Sequence, residues 1–476
     1  MKERDLVETV PKIQEQVEDK ISNEIPGMFD GPAIKLIVKL CMPLMLGMLF
    51  QLAYSLVDTA FIGRIDLNNP NYVGSTGFAF PIFAMITALS GGLYVGVNSL
   101  VARAIGEKNI KVLDEILDSA LFAALVLGVI SMVVFYFAVP FLIRFMGAEG
   151  ELYDLAMDYL MHLLPLCLFS YLGNTFIGGV AGVGKNKYIM IVMILGTVAN
   201  IILDPIFIFV LDMKVKGAAI ASVLGQSASV VYGLWVVAAK KTSLKLSFKF
   251  SAVRWDYIKK IFSVGLPSTL SQFSMTFTRI LINSLITSID PIAFTAYHLC
   301  GVVSDLLFLS TFAISGAMTT ILGQNVGRKL FKRMKYLLRS GYMLSVAVVG
   351  TIVLFLWFAT PYIIPFFSKV DAVINYATTQ VRVLYPFFIC FPIIILNNSF
   401  FKGTGRTGFV TLITIIRIVL LEVTLAYLFV RVFDLKMYGI WFASSIAIVV
   451  TTFISTGWTW RCMGRLEKGK FRVAQT

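Results

Sequence analysis

The sequence predicts an all-α integral membrane protein with twelve transmembrane helices, arranged as two homologous six-helix lobes around a central cavity. Composition is the first reason: 58% of the 476 residues are hydrophobic and 14% are charged, against roughly 25% charged in soluble proteins. The second reason is a series of long apolar segments, and the third is an internal repeat.

Twelve apolar segments follow one another, and each is long enough for the roughly 20 residues that a helix needs to cross a bilayer. The segments are 34–64, 73–105, 112–146, 152–181, 187–211, 217–239, 255–289, 292–326, 334–367, 373–401, 407–433 and 437–460. Their apolar residues are continuous rather than alternating, which indicates helices and not the strands of a membrane barrel.

Basic residues concentrate in alternate loops. One set of loops carries 25 lysines and arginines, and the other set carries 7. By the positive-inside rule the first set is cytoplasmic. Both termini are then cytoplasmic, which requires an even number of crossings. The net charge of +14 thus reflects topology, and we expect no nucleic-acid partner. We expect a multi-pass protein of a prokaryotic cytoplasmic (plasma) membrane, without a cleaved signal sequence.

The chain repeats itself. The stretch 39–66 resembles 262–290, and the proline and the final aspartate of the two stretches match at an offset of 224. Later matches have an offset of 221, and they are Gly106 with Gly327, Pro165 with Pro386, and "GVGK" (182–185) with "GTGR" (403–406). The predicted units are a cytoplasmic tail (1–33), an N lobe (34–240), an inter-lobe loop (241–254), a C lobe (255–464) and a second cytoplasmic tail (465–476). Parallel repeats of six helices are typical of transporters, although duplication also builds channels.

Embedded acids mark the N lobe. Asp58 lies in the first predicted helix and Asp204 in the fifth, where Asn200 precedes it by one turn on the same face. Pro205 lacks a backbone donor, so it should loosen this turn and free a carbonyl. Such an oxygen-rich nest suits Na⁺ or a proton shared between two acids. The alternative is a structural carboxylate bonded to nearby hydroxyls, for example Ser222.

The C lobe has embedded charges of both signs, which are Arg279, Asp305, Arg417 and Glu422. These groups either neutralise each other as buried ion pairs or contact substrate. The offset of 221 pairs Asp204 with Leu425, so the C lobe lacks an equivalent acid there.

Polar side chains inside apolar helices are further candidates for the cavity wall, namely Gln51, Tyr54, Asn174 and Gln272. Phenylalanine and methionine are abundant, and aromatic and thioether surfaces suit flat organic cations. Pro43 makes the first helix bendable, and we expect the bend to move Asp58 relative to Asp204.

Other classes of function are disfavoured. "GVGKNK" lacks the spacing of a nucleotide-binding P-loop, and no selectivity-filter motif indicates a channel. The five cysteines are isolated, so neither a disulfide framework nor a metal site is predicted. We expect no enzymatic activity and no cofactor.

Three motifs resemble the multidrug and toxic compound extrusion (MATE) family of the multidrug/oligosaccharidyl-lipid/polysaccharide exporter superfamily. They are "PLMLGMLFQLAYSLVDTAFIGRID", "GVGKNKYIMIVMILGTVANIILDPIFIF" and "VKGAAIASVLGQ". The resemblance covers residues 34–464. It implies alternating-access efflux in antiport with H⁺ or Na⁺, and it assigns coupling to Asp58, Asn200, Asp204 and Ser222, with a helix-1 bend at Pro43.

The resemblance also implies the partners: small amphipathic cationic drugs and membrane lipids, with the chain expected to be a monomer. A lipid-linked oligosaccharide flippase of the same superfamily is the alternative, because it needs a cationic cavity and Arg279 and Arg417 are embedded.

Overall fold

The computed structural model describes residues 25–66, 69, 71–246 and 253–470, and the regular structure in these ranges is helical. Parts of both predicted tails and of the inter-lobe loop lie outside the described residues. The N-lobe helices are α1 (Ala33–Gly63), α2 (Asn71–Gly106), α3 (Lys111–Phe145), α4 (Gly150–Leu163), α5 (Leu166–Val183), α6 (Asn186–Pro205) and α7 (Lys214–Ala238).

The C-lobe helices are α8 (Trp255–Ile289), α9 (Pro291–Gly327), α10 (Phe331–Ile363), α11 (Asp371–Phe388), α12 (Phe391–Gly403), α13 (Gly408–Ile415), α14 (Thr424–Arg431) and α15 (Lys436–Glu467). Two π-helical segments complete the set: π1 (Ile206–Val210) continues α6, and π2 (Ile416–Val423) joins α13 to α14. A short 3₁₀ turn, Ile364–Phe366, follows α10.

Ten of the described helical segments are long and apolar enough to span a bilayer, and the bent pair α11–α12 would make an eleventh. Helix α8 is 35 residues long, but it is rich in serine and threonine, which lowers its hydropathy. Taken in chain order, the segments form six crossings in each lobe.

Two predicted continuous helices are broken in the structure. The segment 152–181 divides into α4 and α5, and Pro165 occupies the position before α5. The segment 373–401 divides into α11 and α12 with a bend of 42°. Pro392 lies in the first turn of α12. Proline cannot donate the backbone hydrogen bond that would continue the preceding helix, so both breaks have the same physical cause.

The lobes match each other in backbone conformation. Gly184 and Gly405, which match at the offset of 221, both have left-handed φ values, of 88° and 74°. Lys214 and Lys436, at an offset of 222, have φ values of 52° and 49°. The C lobe therefore holds one more residue between these points. The π2 segment lies in this interval, and an i→i+5 turn accommodates an extra residue inside a helix.

The hydrophobic core is divided into three clusters. The largest combines residues of both lobes near the basic loops, for example Leu100 and Val183 with Met318 and Phe400. The other two clusters lie toward the opposite ends of the helices, and each is confined to one lobe. The lobes are thus packed together at the end with the basic loops, which we call the basic end, and are packed separately at the opposite end.

Polar contacts join the lobes at the basic end. The Thr320 hydroxyl donates to the carbonyl of Ala181 at 2.9 Å, and the Gln324 amide donates to the carbonyl of Gly182 at 2.8 Å. Arg103, which the sequence places among the loop cations, is instead fully buried in α2. Its guanidinium donates to the hydroxyl of Ser99 at 2.6 Å.

Residues 25–31, which we call the N-terminal strap, cross from the N lobe to the C lobe at this end. The Arg333 guanidinium in α10 donates to the carbonyls of Gly27 and Gly31 at 2.9 and 2.8 Å. It also donates to the carbonyl of Met28 at 3.3 Å, and the Met28 side chain is buried. Asn325 of α9 donates to the same Met28 carbonyl at 3.4 Å, so C-lobe side chains, chiefly Arg333, hold the segment that leads into α1.

Candidate cation-coupling site

The structure brings the four predicted coupling residues together between α1, α6 and α7. Asn200 and Asp204 lie one turn apart on α6. In the orientation of the Asn200 amide group that satisfies its hydrogen bonds, the nitrogen donates to Asp204 Oδ2 at 2.6 Å. Its oxygen then accepts from the backbone N–H of Ser222 at 3.0 Å. The amide is thus held between an acid and the neighbouring helix, with both of its polar ends used.

Ser222 connects three helices through its hydroxyl. Its Oγ lies 3.2 Å from the Asn200 amide and 3.0 Å from the hydroxyl of Tyr54 on α1. Tyr54, predicted as a cavity residue, therefore belongs to this site. The hydroxyl position on α7 ties the helix that bears Asp58 to the helix that bears Asp204.

The two acids interact with each other and have no basic partner among the residues that the structure describes. Asp204 is fully buried, and it interacts electrostatically with Asp58. Asp58 Oδ1 is buried and has no hydrogen-bond partner among the described residues. Within the described part of the chain, neither acid forms an ion pair with lysine or arginine. Two buried carboxylates without a countercharge are unfavourable, so the arrangement favours binding of a proton or a small cation.

The donor atoms suit a hard cation. Two carboxylates, an amide oxygen and hydroxyls are oxygen ligands of the kind that alkali and alkaline-earth ions prefer. Among the described residues there is no group of three or more His, Cys, Asp and Glu that could hold a metal ion.

Tyr159 is a member of this site that the sequence did not indicate. It lies on α4, is buried, and interacts electrostatically with Asp58, Tyr54 and Asp204. Because it lies far from both acids along the chain, inside an apolar segment, no spacing rule connects it to them.

The charged C-lobe residues are divided by the structure. Arg417 Nη1 lies 3.3 Å from Glu422 Oε2, so these two form an ion pair, as one of the two sequence interpretations expected. Arg279 and Asp305 are exposed and interact only electrostatically. The four embedded charges predicted in the C lobe therefore form one closed ion pair and one looser pair of opposite charges.

The remaining predicted cavity residues are scattered. The Asn174 amide donates to the Ser90 hydroxyl at 3.0 Å, within the N lobe. Gln51 and Gln272 are exposed on α1 and α8. Pro43 lies inside α1, and its role in bending stays a prediction.

The family of the protein follows from comparison with known sequences. The MatE family model matches residues 43–206 and 267–428, which is one match in each lobe. The chain belongs to the MATE family. The site described above lies in the first matched region and the helix that follows it.

Relatives with assigned names cover most of the chain. The probable multidrug resistance protein NorM of Thermotoga maritima is 26% identical over 447 residues, which cover 92% of this chain and 95% of NorM. The multidrug export protein MepA of Staphylococcus aureus is 22% identical over 394 residues, which cover 81% of this chain and 85% of MepA.

The fold matches that of solved MATE structures. An outward-facing MATE transporter of the MOP superfamily superposes with a TM-score of 0.87 at 27% identity, covering 93% of this chain and 99% of the transporter. A MATE protein in a bent conformation superposes with a TM-score of 0.88 at 27% identity, covering 93% of this chain and 98% of that one. The predicted all-α fold of twelve helices in two lobes is thereby confirmed.

Proposed function

We propose that this MATE protein is a secondary active multidrug efflux transporter, which exports amphipathic organic cations in antiport with H⁺ or Na⁺ by alternating access. The names of NorM and MepA support multidrug export. The observation that carries the ion coupling is the pair Asp58 and Asp204, two acids that interact with each other and have no basic partner in the described part of the chain.

Alternation between ion and drug follows from charge. With no cation bound, the N-lobe acids repel each other and attract positive charge. A proton or Na⁺ satisfies the site through Asp58, Asp204, Asn200 and Ser222. Loss of that ion leaves an acidic cavity wall that favours an organic cation. The two ligands then bind to different states of the protein, which is the condition for one to drive the other.

Energy must come from an ion gradient in this scheme, and the coupled ion is proposed as H⁺ or Na⁺. We propose that the site faces the exterior when the lobes are joined at the basic end, and that both termini lie in the cytoplasm of a prokaryote. The bend at Pro43 is proposed as the movement that follows ion binding.

The alternative is a lipid-linked oligosaccharide flippase, which requires a cationic cavity for a diphosphate. Arg417 is paired with Glu422 at 3.3 Å, so its charge is largely neutralised inside the C lobe. Of the two arginines behind this alternative, Arg279 is exposed and Arg417 is paired. The two therefore offer little unpaired positive charge for a diphosphate, which favours the cationic cargo.

The test is dye efflux from proteoliposomes with pH and Na⁺ gradients imposed separately. The native chain is compared with Asp204→Asn and with the control Asp154→Asn, which neutralises an exposed acid of α4 in the same lobe. We expect efflux under at least one gradient, a loss of tenfold or more in Asp204→Asn, and native efflux in the control.

The ion is named by the gradient that drives efflux. Native efflux in Asp204→Asn would exclude the proposed coupling site. Absence of dye transport under both gradients, together with binding of undecaprenyl-type lipids, would instead favour the flippase.

A further inference from the structure

The C lobe contains a structural counterpart of the N-lobe coupling site. The Asn200 amide contacts the hydroxyl of Ser222, 22 residues later in the chain. Glu422 Oε1 accepts a hydrogen bond of 2.9 Å from the hydroxyl of Ser444, also 22 residues later. Ser222 and Ser444 match at an offset of 222, as Lys214 and Lys436 do. Glu422 therefore occupies the position of Asn200.

This equivalence corrects the sequence alignment of the lobes. The offset of 221 pairs Asn200 with Leu421 and Asp204 with Leu425. That offset holds at Gly405 and is replaced by 222 at Lys436, beyond π2. The extra residue within the C-lobe helix rotates Glu422 to the position that faces the last helix of its lobe, where it reaches Ser444.

A fixed positive charge neutralises this counterpart. Glu422 Oε2 pairs with Arg417 Nη1 at 3.3 Å, and the two side chains are 17% and 12% exposed. Both carboxylate oxygens are therefore occupied, one by Arg417 and one by Ser444. The other face of the guanidinium lies over the Phe391 ring, 5.6 Å from its centroid. An i→i+5 helical turn brings residues five apart close together, so π2 is the segment that permits the pair.

The N-lobe site has the opposite character. Asp58 Oδ1 is buried without a partner among the described residues, while the residue of α8 equivalent to Asp58, at an offset of 224, is the buried Ile282. Among the described residues, the N-lobe site thus presents two carboxylates without a basic partner, and its C-lobe counterpart presents one carboxylate bound to a cation of the chain.

We propose that Arg417 is a tethered cation that occupies the C-lobe equivalent of the ion site and so restricts ion coupling to the N lobe. This proposal rests on the proposed function of the N-lobe site. Arg417 is then a specificity-determining residue: it sets the number of exchangeable cations per cycle. Removing its charge should convert Glu422 and Ser444 into a second site for the coupling ion, H⁺ or Na⁺.

Nearby charges do not replace Arg417. Tyr297 on α9 interacts electrostatically with Glu422 and with Arg279. Arg279 also interacts with Asp305, and both are exposed. Arg417 is the cation that forms an ion pair with Glu422 in the described part of the chain.

The first test leaves Arg417 unchanged. The double variant Asp58→Asn/Asp204→Asn removes the N-lobe acids, and binding of ²²Na⁺ to the purified full-length protein is measured with and without the added change Glu422→Gln. We expect no specific Na⁺ binding in either protein. Residual binding that disappears with Glu422→Gln would overturn the proposal, because Glu422 would then bind cations despite Arg417.

The second test removes the tether. In the same double variant, Arg417→Gln should create one Glu422-dependent cation site per chain, whereas Arg417→Lys, which keeps the charge, should not. Na⁺ is detected as bound ²²Na⁺, and a proton is detected as the infrared band of a protonated carboxyl, which must vanish when Glu422 is also changed to Gln. Absence of both signals in folded Arg417→Gln protein contradicts the proposal.

These outcomes are separate from those of the proposed function. The C-lobe tests measure only whether cation binding depends on Glu422, in proteins that lack the carboxylates of Asp58 and Asp204. If Asp204→Asn did not impair efflux, the proposed N-lobe coupling site would be wrong. The role of Arg417 would still be decided by the two cation-binding tests above.

Discussion

Gly106 and Gly327 face each other across the interface between the lobes. They end α2 and α9, at equivalent positions of the two lobes. A Cβ atom added to Gly106 would lie 2.9 Å from the Cα of Gly327, and one added to Gly327 would lie 2.8 Å from the Cα of Gly106. The two helix ends therefore meet through their backbones, and the internal repeat of the sequence becomes a direct contact at the basic end.

The variant Gly106→Val should weaken this interface, because the added side chain must push the two helix ends apart. We expect the population in which the lobes are joined at the basic end to fall. The measurement is a spin–spin distance between labels at Glu149→Cys and Lys369→Cys, exposed positions at the opposite end of the two lobes, with native cysteines replaced. The distance should shorten as the opposite end closes.

The matched control for this prediction is Gly350→Val on α10, since nothing lies within 4 Å of a Cβ built at Gly350. The control should keep the native distance distribution. If Gly106→Val also keeps it, the glycine contact has no part in holding the lobes together.

The variant Ser222→Ala should weaken ion binding, since it removes the hydroxyl that contacts both Tyr54 and Asn200. A net hydrogen bond contributes about 0.5–1.5 kcal/mol, so the ion concentration for half-maximal efflux should rise by up to roughly tenfold. Ser222→Thr keeps a hydroxyl and should restore most of the affinity.

Ser227→Ala is the control on the same helix, because that hydroxyl donates to the carbonyl of Leu224, within α7 itself. It should leave the ion dependence of efflux unchanged. Equal effects of Ser222→Ala and Ser227→Ala would mean that α7 responds to general loss of polarity and not to the loss of a coupling contact.

The variant Pro205→Ala should impair coupled transport without loss of stability. Alanine restores the backbone N–H that proline lacks, so α6 can continue into π1 with ordinary α-helical hydrogen bonds. Asp204, the preceding residue, should then change its orientation toward Asp58. We expect an unchanged or higher Tm and at least a tenfold loss of gradient-driven efflux. A variant with native efflux would show that the π segment is only a local packing feature.

The variant Arg333→Gln should release the N-terminal strap, because it removes the charge that bonds the carbonyls of Gly27, Met28 and Gly31. Hydrogen bonds to charged groups contribute about 1.5–3 kcal/mol, so exposure of the strap should rise roughly tenfold or more. The measurement is the rate at which a water-soluble maleimide modifies Met28→Cys.

Arg339→Gln is the control on the same helix, since Arg339 stacks over Trp460 and is exposed. It should leave the modification rate of Met28→Cys unchanged. If the Arg333 variant also matches the native rate, the contacts of Arg333 to the strap carbonyls do not hold the strap in place.

The N-lobe site could be predicted because its residues follow helical spacing. Asn200 and Asp204 lie four residues apart, which places them on one face of an α-helix. Pro205 predicted a loosened turn before it, whereas the α-helix continues to Pro205 and the π segment follows it. Asp58 was indicated by an acid inside an apolar helix, and the coupling role of Ser222 came from the family resemblance. Tyr159 could not be predicted, because only tertiary packing brings α4 to these acids.

The Arg417–Glu422 pair shows why the C lobe was harder to interpret. Residues five apart point to different faces of an α-helix, so ordinary periodicity separates them. A one-residue insertion within an apolar run leaves no composition signal, and π2 was therefore invisible in the sequence. Arg103 also differs from the prediction. In the sequence it lies next to the loop cations, but in the structure it is buried and donates to the hydroxyl of Ser99, one turn earlier.

The three hydrophobic clusters divide the stability of the molecule between its two ends. At the end opposite the basic loops each lobe has its own core, so the lobes can part there without local unfolding. Amide exchange in α4 or α14 should accordingly report the stability of a single lobe, whereas exchange near Leu100 or Phe400 should also report their association. Substitutions in the cluster that combines both lobes can therefore change the lifetime of each conformation. The stability against unfolding of the two single-lobe clusters should stay the same.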